Sequence, residues 1–218
     1  MVPMPKGFFL RRLWRVVRIL LAVFVLLVVG FLVFRYFELE RIKENEAKAV
    51  WILAQRITLA DVMGENLPPE PNPEENNRTL AGIDANTNGI RDDVELAIHR
   101  LHPESARIRA AQLQYARALQ FEMEDVTDSI TLVAAAQQQG RGSGCIYDTG
   151  PSVTLDDPQE VWTEKFRIVE NRKNEVWELV FDSDARKDKI EDNARRYMTS
   201  YGSSREQDCD IDLATLPD

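Results

Sequence analysis

The chain has 218 residues, 44% of them hydrophobic, and a formal net charge of −9 at pH 7. Its charge is unevenly distributed, because residues 1–18 carry five basic groups and no acidic group, whereas residues 66–218 carry 17 basic and 30 acidic groups. Such an acidic folded part argues against a nucleic-acid partner and against a second, electrostatic contact with a membrane. The 138 residues from Ala81 to Asp218 are enough to bury one hydrophobic core.

A membrane segment is predicted near the N-terminus. Residues 19–34 contain no charged residue and lie between Arg18 and Arg35. At 1.5 Å per residue they cover about 24 Å, less than a hydrocarbon core of roughly 30 Å. Flanking residues, with Trp14 and Tyr36 at the two interfaces, can extend the span. We therefore predict a transmembrane helix over residues 13–37.

The distribution of Lys and Arg predicts the orientation of this helix. Residues 1–18 carry a charge of +5, whereas residues 35–65 carry five basic and six acidic groups. The positive-inside rule then places the basic N-terminus, residues 1–18, in the cytosol and the C-terminal domain outside. The alternative is a cleaved signal peptide, but the apolar run ends without an A-x-A-like site. We predict an uncleaved, single-pass signal anchor in the inner (plasma) membrane and a periplasmic or extracytoplasmic C-terminal domain.

Both cysteines, Cys145 and Cys209, lie in the part of the chain that is predicted to be outside. In an oxidising compartment an even pair predicts a disulfide, and closing 63 intervening residues would contribute roughly 4 kcal/mol through loop entropy. The alternatives are two free thiols, or a metal or catalytic site. A metal site has little support, because the chain contains no C-x-x-C motif and only two His residues.

Two segments connect the membrane helix to the C-terminal domain. Residues 38–65 have helical periodicity that ends at Gly64, so we predict a juxtamembrane helix that can continue the membrane helix outward. Residues 66–80 contain four prolines among Glu and Asn residues, which predicts an extended linker. Residues 81–218 form the predicted extracytoplasmic domain.

Residues 84–95 read Asp-Ala-Asn-Thr-Asn-Gly-Ile-Arg-Asp-Asp-Val-Glu and fit the pattern D-x-[DN]-x-[DN]-G-x5-E at every specified position. Side-chain oxygens at positions 1, 3, 5, 9 and 12 suit a hard cation, and Gly89 at position 6 permits the turn that a short backbone needs around it. An Asx-rich turn that starts a helix without metal is the alternative interpretation.

This segment resembles the calcium loops of EF-hand proteins and of thrombospondin type 3 and dockerin repeats. The resemblance covers twelve residues and implies a Ca²⁺ ion as cofactor. It implies five side-chain ligands and one backbone carbonyl, which is that of Ile90 at position 7. The last residue of the loop would bind through both of its carboxylate oxygens. In chain order these residues are Asp84, Asn86, Asn88, Ile90, Asp92 and Glu95.

Three differences from a paired EF-hand indicate a structural role for this loop. The preceding segment is rich in Pro rather than helical, Arg91 replaces an apolar residue at position 8, and the sequence contains no second loop. Two Asn residues in place of Asp favour a weak site of the extracellular class, with a dissociation constant of about 0.1 to 1 mM. We expect calcium to fix the linker to the first helix of the domain.

The rest of the C-terminal domain has helical periodicity. Apolar residues recur at steps of three and four from Ile90 to Leu101 and from Ile108 to Val133. We expect the first helix to end at Pro103, and the second to run to Gln139, where three glycines in residues 140–144 break it. Further helices are predicted to start near Asp157–Glu160 and at Ser183, and we expect Gly202 to close the last one. The predicted fold is mainly α: one transmembrane helix, then an irregular bundle of about four helices with one calcium loop.

Glu95, His99 and His102 share one helix face and could in principle hold zinc, but no fourth ligand is evident. The sequence contains no H-E-x-x-H, G-x-S-x-G or phosphate-loop motif. We therefore expect a non-catalytic binding or assembly module of the cell envelope, whose partner the sequence does not name. The alternative is an envelope enzyme with dispersed acidic, Arg and Asn active-site residues.

Overall fold

The computed structural model describes residues 6–204 and 206–217, with side chains from Leu13 to Ser204 and from Glu206 to Pro217. Residues 1–5 of the predicted basic segment, and the side chains of Lys6, Arg11 and Arg12, lie outside this description. The described chain contains eight α-helices, one 3-10 turn at Leu213–Thr215 and no β-strand. The helices are α1 (Lys6–Ala54), α2 (Leu59–Met63), α3 (Pro73–Asn76), α4 (Asp92–Leu101), α5 (Ala106–Glu124), α6 (Ser129–Asp148), α7 (Gln159–Val180) and α8 (Asp184–Tyr197).

The predicted mainly-α fold class is confirmed: a long apolar N-terminal helix is followed by a helical bundle. The chain divides into two compact units, one ending at Glu44 and the other beginning at Asn45. Among the described residues, one helix is long and apolar enough to cross a membrane, and it covers Leu13–Ala54.

Helix α1 continues well beyond the predicted membrane span but stops at Ala54, whereas the periodicity had predicted helix up to Met63. A separate helix, α2, follows because Thr58 starts it with a capping box: its hydroxyl accepts from the Asp61 N–H, and the Asp61 carboxylate accepts from the Thr58 N–H. Gly64 ends α2 with φ 78°, as predicted.

Helix α5 forms the centre of the second unit. It packs against α2, α4, α6, α7 and α8, and every residue from Arg109 to Met123 is buried. Its sequence is only weakly amphipathic, and polar side chains such as Gln112 and Arg117 are buried together with Leu113 and Leu119. The bundle therefore has a core in which polar groups must find partners inside the protein.

The expectation of one helix reaching Gln139 was wrong, and so was the expected break at the glycines. The chain breaks at residues 125–128, where the Asp128 carboxylate accepts from the N–H groups of Ile130 and Thr131 and starts α6. Helix α6 then runs through the glycines to Asp148. A Cβ atom on Gly142 would lie 2.9 Å from the Tyr115 Cα, so this glycine lets α5 and α6 approach closely.

The predicted linker, residues 66–80, is folded against the bundle rather than extended. Asn72 starts the one-turn helix α3, and Asn76 is buried. The Arg186 guanidinium, 2% exposed, donates to the Leu80 carbonyl (3.0 Å) and to Asn77 Oδ1 (3.1 Å). An arginine 106 residues further along the chain thus fixes this segment.

The predicted Cys145–Cys209 disulfide is present, with the two Cα atoms 4.8 Å apart. Cys145 lies in the last turns of α6, beyond the glycines that were expected to break a helix. The bond holds the C-terminal tail against α6, and Leu213 and Leu216 of that tail are buried in the core.

Next to Cys209, the Asp210 carboxylate forms a buried charge cluster. Its side chain is 1% exposed and accepts from Arg117 of α5 and Arg141 of α6, both at 2.8 Å. It also accepts from the Ile57 N–H at 2.9 Å. One tail carboxylate thus binds α5, α6 and the segment after α1.

We expect Asp210→Asn to destabilise the protein by about 3 to 5 kcal/mol, because it leaves two buried guanidinium groups without their counter-ion. Urea unfolding should show the loss as a lower midpoint. The control is Glu206→Gln, which removes a carboxylate of the same tail that is 54% exposed, pairs with Arg56 and lies 3.9 Å from Arg141 Nε. This exposed pair should contribute less than about 1 kcal/mol. Equal losses in both variants would contradict the buried cluster as a principal tie of the tail.

Glu122, which is 7% exposed on α5, provides a pH-dependent test of the core. Burial raises the pKa of Glu122 from 4.5 to about 7, so the folded state binds this proton more tightly than the unfolded state. Its contribution to stability therefore falls as pH rises from about 4.5 to about 7. Glu122→Gln should raise the free energy of unfolding by up to about 3 kcal/mol at pH 8 and by little at pH 4.

Unfolding of the wild-type protein and of Glu122→Gln should be measured at about pH 4 and about pH 8 in the presence of a calcium chelator. Glu191→Gln, at an exposed position, serves as the control. Its free energy of unfolding relative to the wild type should be the same at both pH values. A gain for Glu122→Gln that does not depend on pH would contradict this assignment.

Candidate metal site

The first half of the loop, residues 84–89, is a tight turn around the Asp84 carboxylate. Its Oδ1 accepts from the Asn88 N–H at 3.1 Å, and its Oδ2 accepts from the Gly89 N–H at 2.9 Å. Two loop residues have positive φ: Thr87 at 56° and Gly89 at 80°. The turn therefore requires the left-handed conformation that glycine adopts without strain, as the motif predicts.

The second half of the loop enters α4. The Asp92 N–H donates to the Ile83 carbonyl at 2.8 Å, and Asp92 Oδ1 accepts from the Ala85 N–H at 2.9 Å. Asp92 and Glu95 thereby occupy the first turn of α4, where negative charge is stabilised by the helix dipole. The backbone of Ile90 lies between the two halves, and its side chain, 1% exposed, is part of the hydrophobic core.

Three buried oxygens of the loop have no hydrogen-bond partner: Asn86 Oδ1, Asp92 Oδ2 and Glu95 Oε1. The Asn86 amide is oriented by its nitrogen, which donates to Glu95 Oε2 and to the Asn66 carbonyl, both at 2.9 Å. These three oxygens belong to loop positions 3, 9 and 12, which are ligand positions in the resembled calcium loops. An unpaired buried acceptor costs about 1 to 3 kcal/mol, so this loop has a specific need for a donor or a cation.

The electrostatics of the loop also favour a bound cation. Burial raises the pKa of Glu95 to about 7, although the hydrogen bond from Asn86 opposes the rise. Burial also raises the pKa of Asp92, and the neighbouring Asp84 and Asp93 carboxylates add to that rise. Carboxylates gathered in a buried site repel each other, and a divalent cation would relieve both the repulsion and the desolvation.

Not every predicted ligand is placed for coordination. Asn88 Oδ1 accepts from the Ile90 N–H at 2.9 Å, and the Asn88 amide opposes the rise in the pKa of Glu95 although its buried Nδ2 makes no hydrogen bond of normal geometry. Within the described residues, no group of three or more His, Cys, Asp or Glu side chains is arranged to hold a metal ion. The carboxylates instead accept from N–H groups of the loop itself, so calcium binding and its six ligands stay predictions.

Arg91 has a role that the sequence alone did not reveal. It is fully buried and donates to the Leu179 and Val180 carbonyls at the end of α7, at 2.8 and 3.2 Å. These carbonyls lie in the last turn of α7, which has no basic side chain of its own. The residue at position 8 thus docks the loop onto α7, where a paired EF-hand would use an apolar residue to contact a second hand. The only sign of this role in the sequence was that Arg91 replaces the apolar residue of the EF-hand pattern.

The two histidines have separate partners and do not form a zinc site with Glu95. His99 Nε2 lies 3.0 Å from the Asp61 carbonyl, and burial lowers the pKa of His99. His102 Nε2 lies 3.2 Å from Glu175 Oε2 on α7. Both rings therefore hold α4 against neighbouring elements.

Comparison with known proteins finds no matching family model, no matching curated protein and no matching solved structure.

Proposed function

We propose that this protein is a single-pass, membrane-anchored module of the cell envelope that binds or assembles with another component and is braced by calcium. The observation that carries the calcium proposal is the set of three unpaired, buried oxygens on Asn86, Asp92 and Glu95. They lie in a segment that fits every specified position of a calcium-loop pattern. A cation at this point would bind groups that the protein itself leaves without partners.

The surroundings of the loop favour bracing over switching. Arg91 fixes the loop to the end of α7, and its Nη2 lies 2.9 Å from Asp182 Oδ2. The other oxygen of Asp182 pairs with Arg186 at 2.6 Å, and Arg186 holds the linker. Loop, linker and the junction of α7 with α8 are thus joined through two arginines and one aspartate. An ion bound inside this assembly would hold the joined segments together, which is a bracing role.

An extracytoplasmic location is supported by two independent features. The apolar segment of α1 follows five basic residues, which favours a cytosolic N-terminus. The Cys145–Cys209 disulfide persists in an oxidising compartment, such as the periplasm or the cell exterior. Millimolar calcium, which a weak site requires, is also available outside the cell.

A binding module is favoured over an enzyme by what the Arg and Asn side chains contact. Asn193 is 1% exposed and donates to the Glu122 and Met123 carbonyls at the end of α5. Arg172 donates to Thr149 Oγ1 at 2.6 Å, which links α7 to the end of α6. These side chains hold helices together, whereas catalysis by dispersed polar residues would need them to converge on a pocket.

Calcium should stabilise the full-length protein in detergent micelles. With a dissociation constant of about 0.1 to 1 mM, 5 mM calcium should raise the melting temperature by about 3 to 8 °C relative to chelator. The same concentration of magnesium should have a much smaller effect, because Mg²⁺ dehydrates reluctantly and requires near-octahedral geometry. Superimposable melts in calcium and in chelator would refute the proposed site.

Two substitutions on α4 separate loss of the ligand from general damage. Glu95→Gln should abolish the calcium-induced shift, and it should leave the chelated protein at least as stable, since it removes a buried charge. Asp93→Asn is the matched control: its carboxylate contacts Arg91 and has no predicted ligand role. It can lower the starting melting temperature, but the calcium-induced shift should persist.

The orientation can be tested in cells with a C-terminal reporter that is active only in an oxidising compartment. We expect activity in the wild-type fusion. We expect inversion or loss of activity when Arg11, Arg12, Arg15 and Arg18 are replaced by Gln and basic residues are introduced after residue 37, because the Lys and Arg bias sets the orientation. Activity confined to a cytosolic reporter in the wild type would contradict the proposed location.

A further inference from the structure

A cleft of about 270 Å³ lies between the loop, the end of α5 and the last turns of α1. It is separate from the three unpaired oxygens described above, and only Asp84, Gly89 and Ile90 of the loop border it. The side chains that give the cleft its chemical character are Trp51, Asp84, Gln120, Phe121, Glu124 and Asp125.

One wall of the cleft is aromatic. The rings of Trp51 and Phe121 meet edge to face, with their centroids 5.4 Å apart. Phe121 is buried at 3% exposure, whereas Trp51 is 48% exposed. An indole that is held at a cleft and still open to solvent offers a face for a cation.

The cleft contains more hydrogen-bond acceptors than donors. Gln120, 6% exposed, donates through Nε2 to the Ala81 carbonyl at 3.0 Å and to the Glu124 carboxylate. Its Oε1 is buried and has no hydrogen-bond partner. A buried amide oxygen beside a carboxylate thus requires a donor that the surrounding side chains do not supply.

The charges in the cleft are only partly compensated. Lys48 pairs with Asp125 at 3.0 Å, so the charge of Asp125 is shared, and the Asp84 carboxylate accepts from two backbone N–H groups. Burial raises the pKa of Glu124 to about 7, and Asp125 and Asp84 add to the rise, while the Gln120 hydrogen bond and Arg91 oppose it. The N–H groups of Arg91 are bonded to Asp93 and to the end of α7. Glu124 accepts from the Gln120 amide, whereas Asp125 pairs with a lysine, so Glu124 has the weaker electrostatic partner of the two.

We propose that this cleft binds an alkylammonium or guanidinium group, with Glu124 accepting its N–H groups, Trp51 covering it and Gln120, whose Oε1 lacks a partner, beside Glu124. The inference deepens the proposed function and rests on its binding role, because it gives the chemistry of the bound component. The volume lies below the range of about 300 to 1,000 Å³ that is typical of sites for drug-sized ligands. It therefore suits one basic side chain or a small amine.

The cation can come from a free amine or from a Lys or Arg side chain of a protein partner. Two probes distinguish these sources: cadaverine, and the blocked tripeptide acetyl-Gly-Lys-Gly-amide. The tripeptide in which norleucine replaces Lys has the same length and apolar surface without the charge. Calorimetric titration of the full-length protein in detergent micelles gives the affinities, and the indole N–H resonance of Trp51 reports whether a probe enters the cleft.

We expect at least one charged probe to bind and to shift the Trp51 resonance, and the norleucine peptide to bind at least tenfold more weakly. Binding of cadaverine alone would assign the cleft to free amines, and binding of the lysine peptide alone would assign it to a basic side chain of a partner. Binding of neither charged probe, or equal binding of the norleucine peptide, would overturn the proposal.

Variants of the cleft must change these affinities selectively. Glu124→Gln should weaken binding at least about tenfold, since it removes a charge-assisted hydrogen bond. Glu122→Gln is the matched control on the same helix; it makes the same chemical change two residues away, outside the cleft lining, and should leave the affinity unchanged. Trp51→Ala removes the half-exposed ring that would cover the cation and should also weaken binding. Unchanged affinity in both Glu124→Gln and Trp51→Ala would overturn the proposal.

The titrations should be repeated in calcium and in chelator. Amine binding that fails in both conditions, while calcium still raises the melting temperature, would refute the cleft and leave the calcium brace intact. Amine binding without any effect of calcium on the melting temperature would support the amine-binding cleft and refute the proposed calcium site.

Discussion

The buried carboxylate of Asp210 is the interaction on which the arrangement of the bundle depends. A charge that is 1% exposed would be prohibitively costly alone, and here it is met by Arg117 and Arg141 on the two helices that pack most extensively together. The same carboxylate accepts the Ile57 N–H, so the segment after α1 joins the cluster. Because Asp210 follows Cys209, the disulfide holds this anion close to its two guanidinium partners.

Arginines recur as the connectors of this protein. Arg91 and Arg186 are fully or almost fully buried, and both donate to backbone carbonyls and to Asp182. A guanidinium group offers five N–H donors in a fixed plane, so a single side chain can satisfy carbonyls of an irregular segment and the end of a helix together. The Pro-rich segment and the candidate calcium loop are held to the bundle in this way.

These contacts explain why the local patterns of the sequence had unequal predictive value. The apolar N-terminal helix, the helix start near residue 158 and the turn at Gly89 depend on interactions within a few residues, and the structure has all three. The glycines of residues 140–144 were predicted to break a helix, but α6 continues through them because Gly142 faces the backbone of Tyr115. The linker was predicted to be extended, but Arg186, more than 100 residues away, folds it down. Neither partner can be identified from local periodicity.

The sequence by itself determined the mainly helical class, the apolar N-terminal helix, the pairing of its two cysteines and the twelve-residue loop pattern, because each follows from composition or from spacing along the chain. Tertiary structure alone decided which side chains of the loop are left without partners, and that Arg91 docks the loop onto α7. It also decided that Trp51, Gln120 and Glu124 border one cleft. Trp51 lies about 70 residues before the other two, and only the packing of α1 against α5 brings an exposed indole beside an unpaired amide oxygen and a carboxylate.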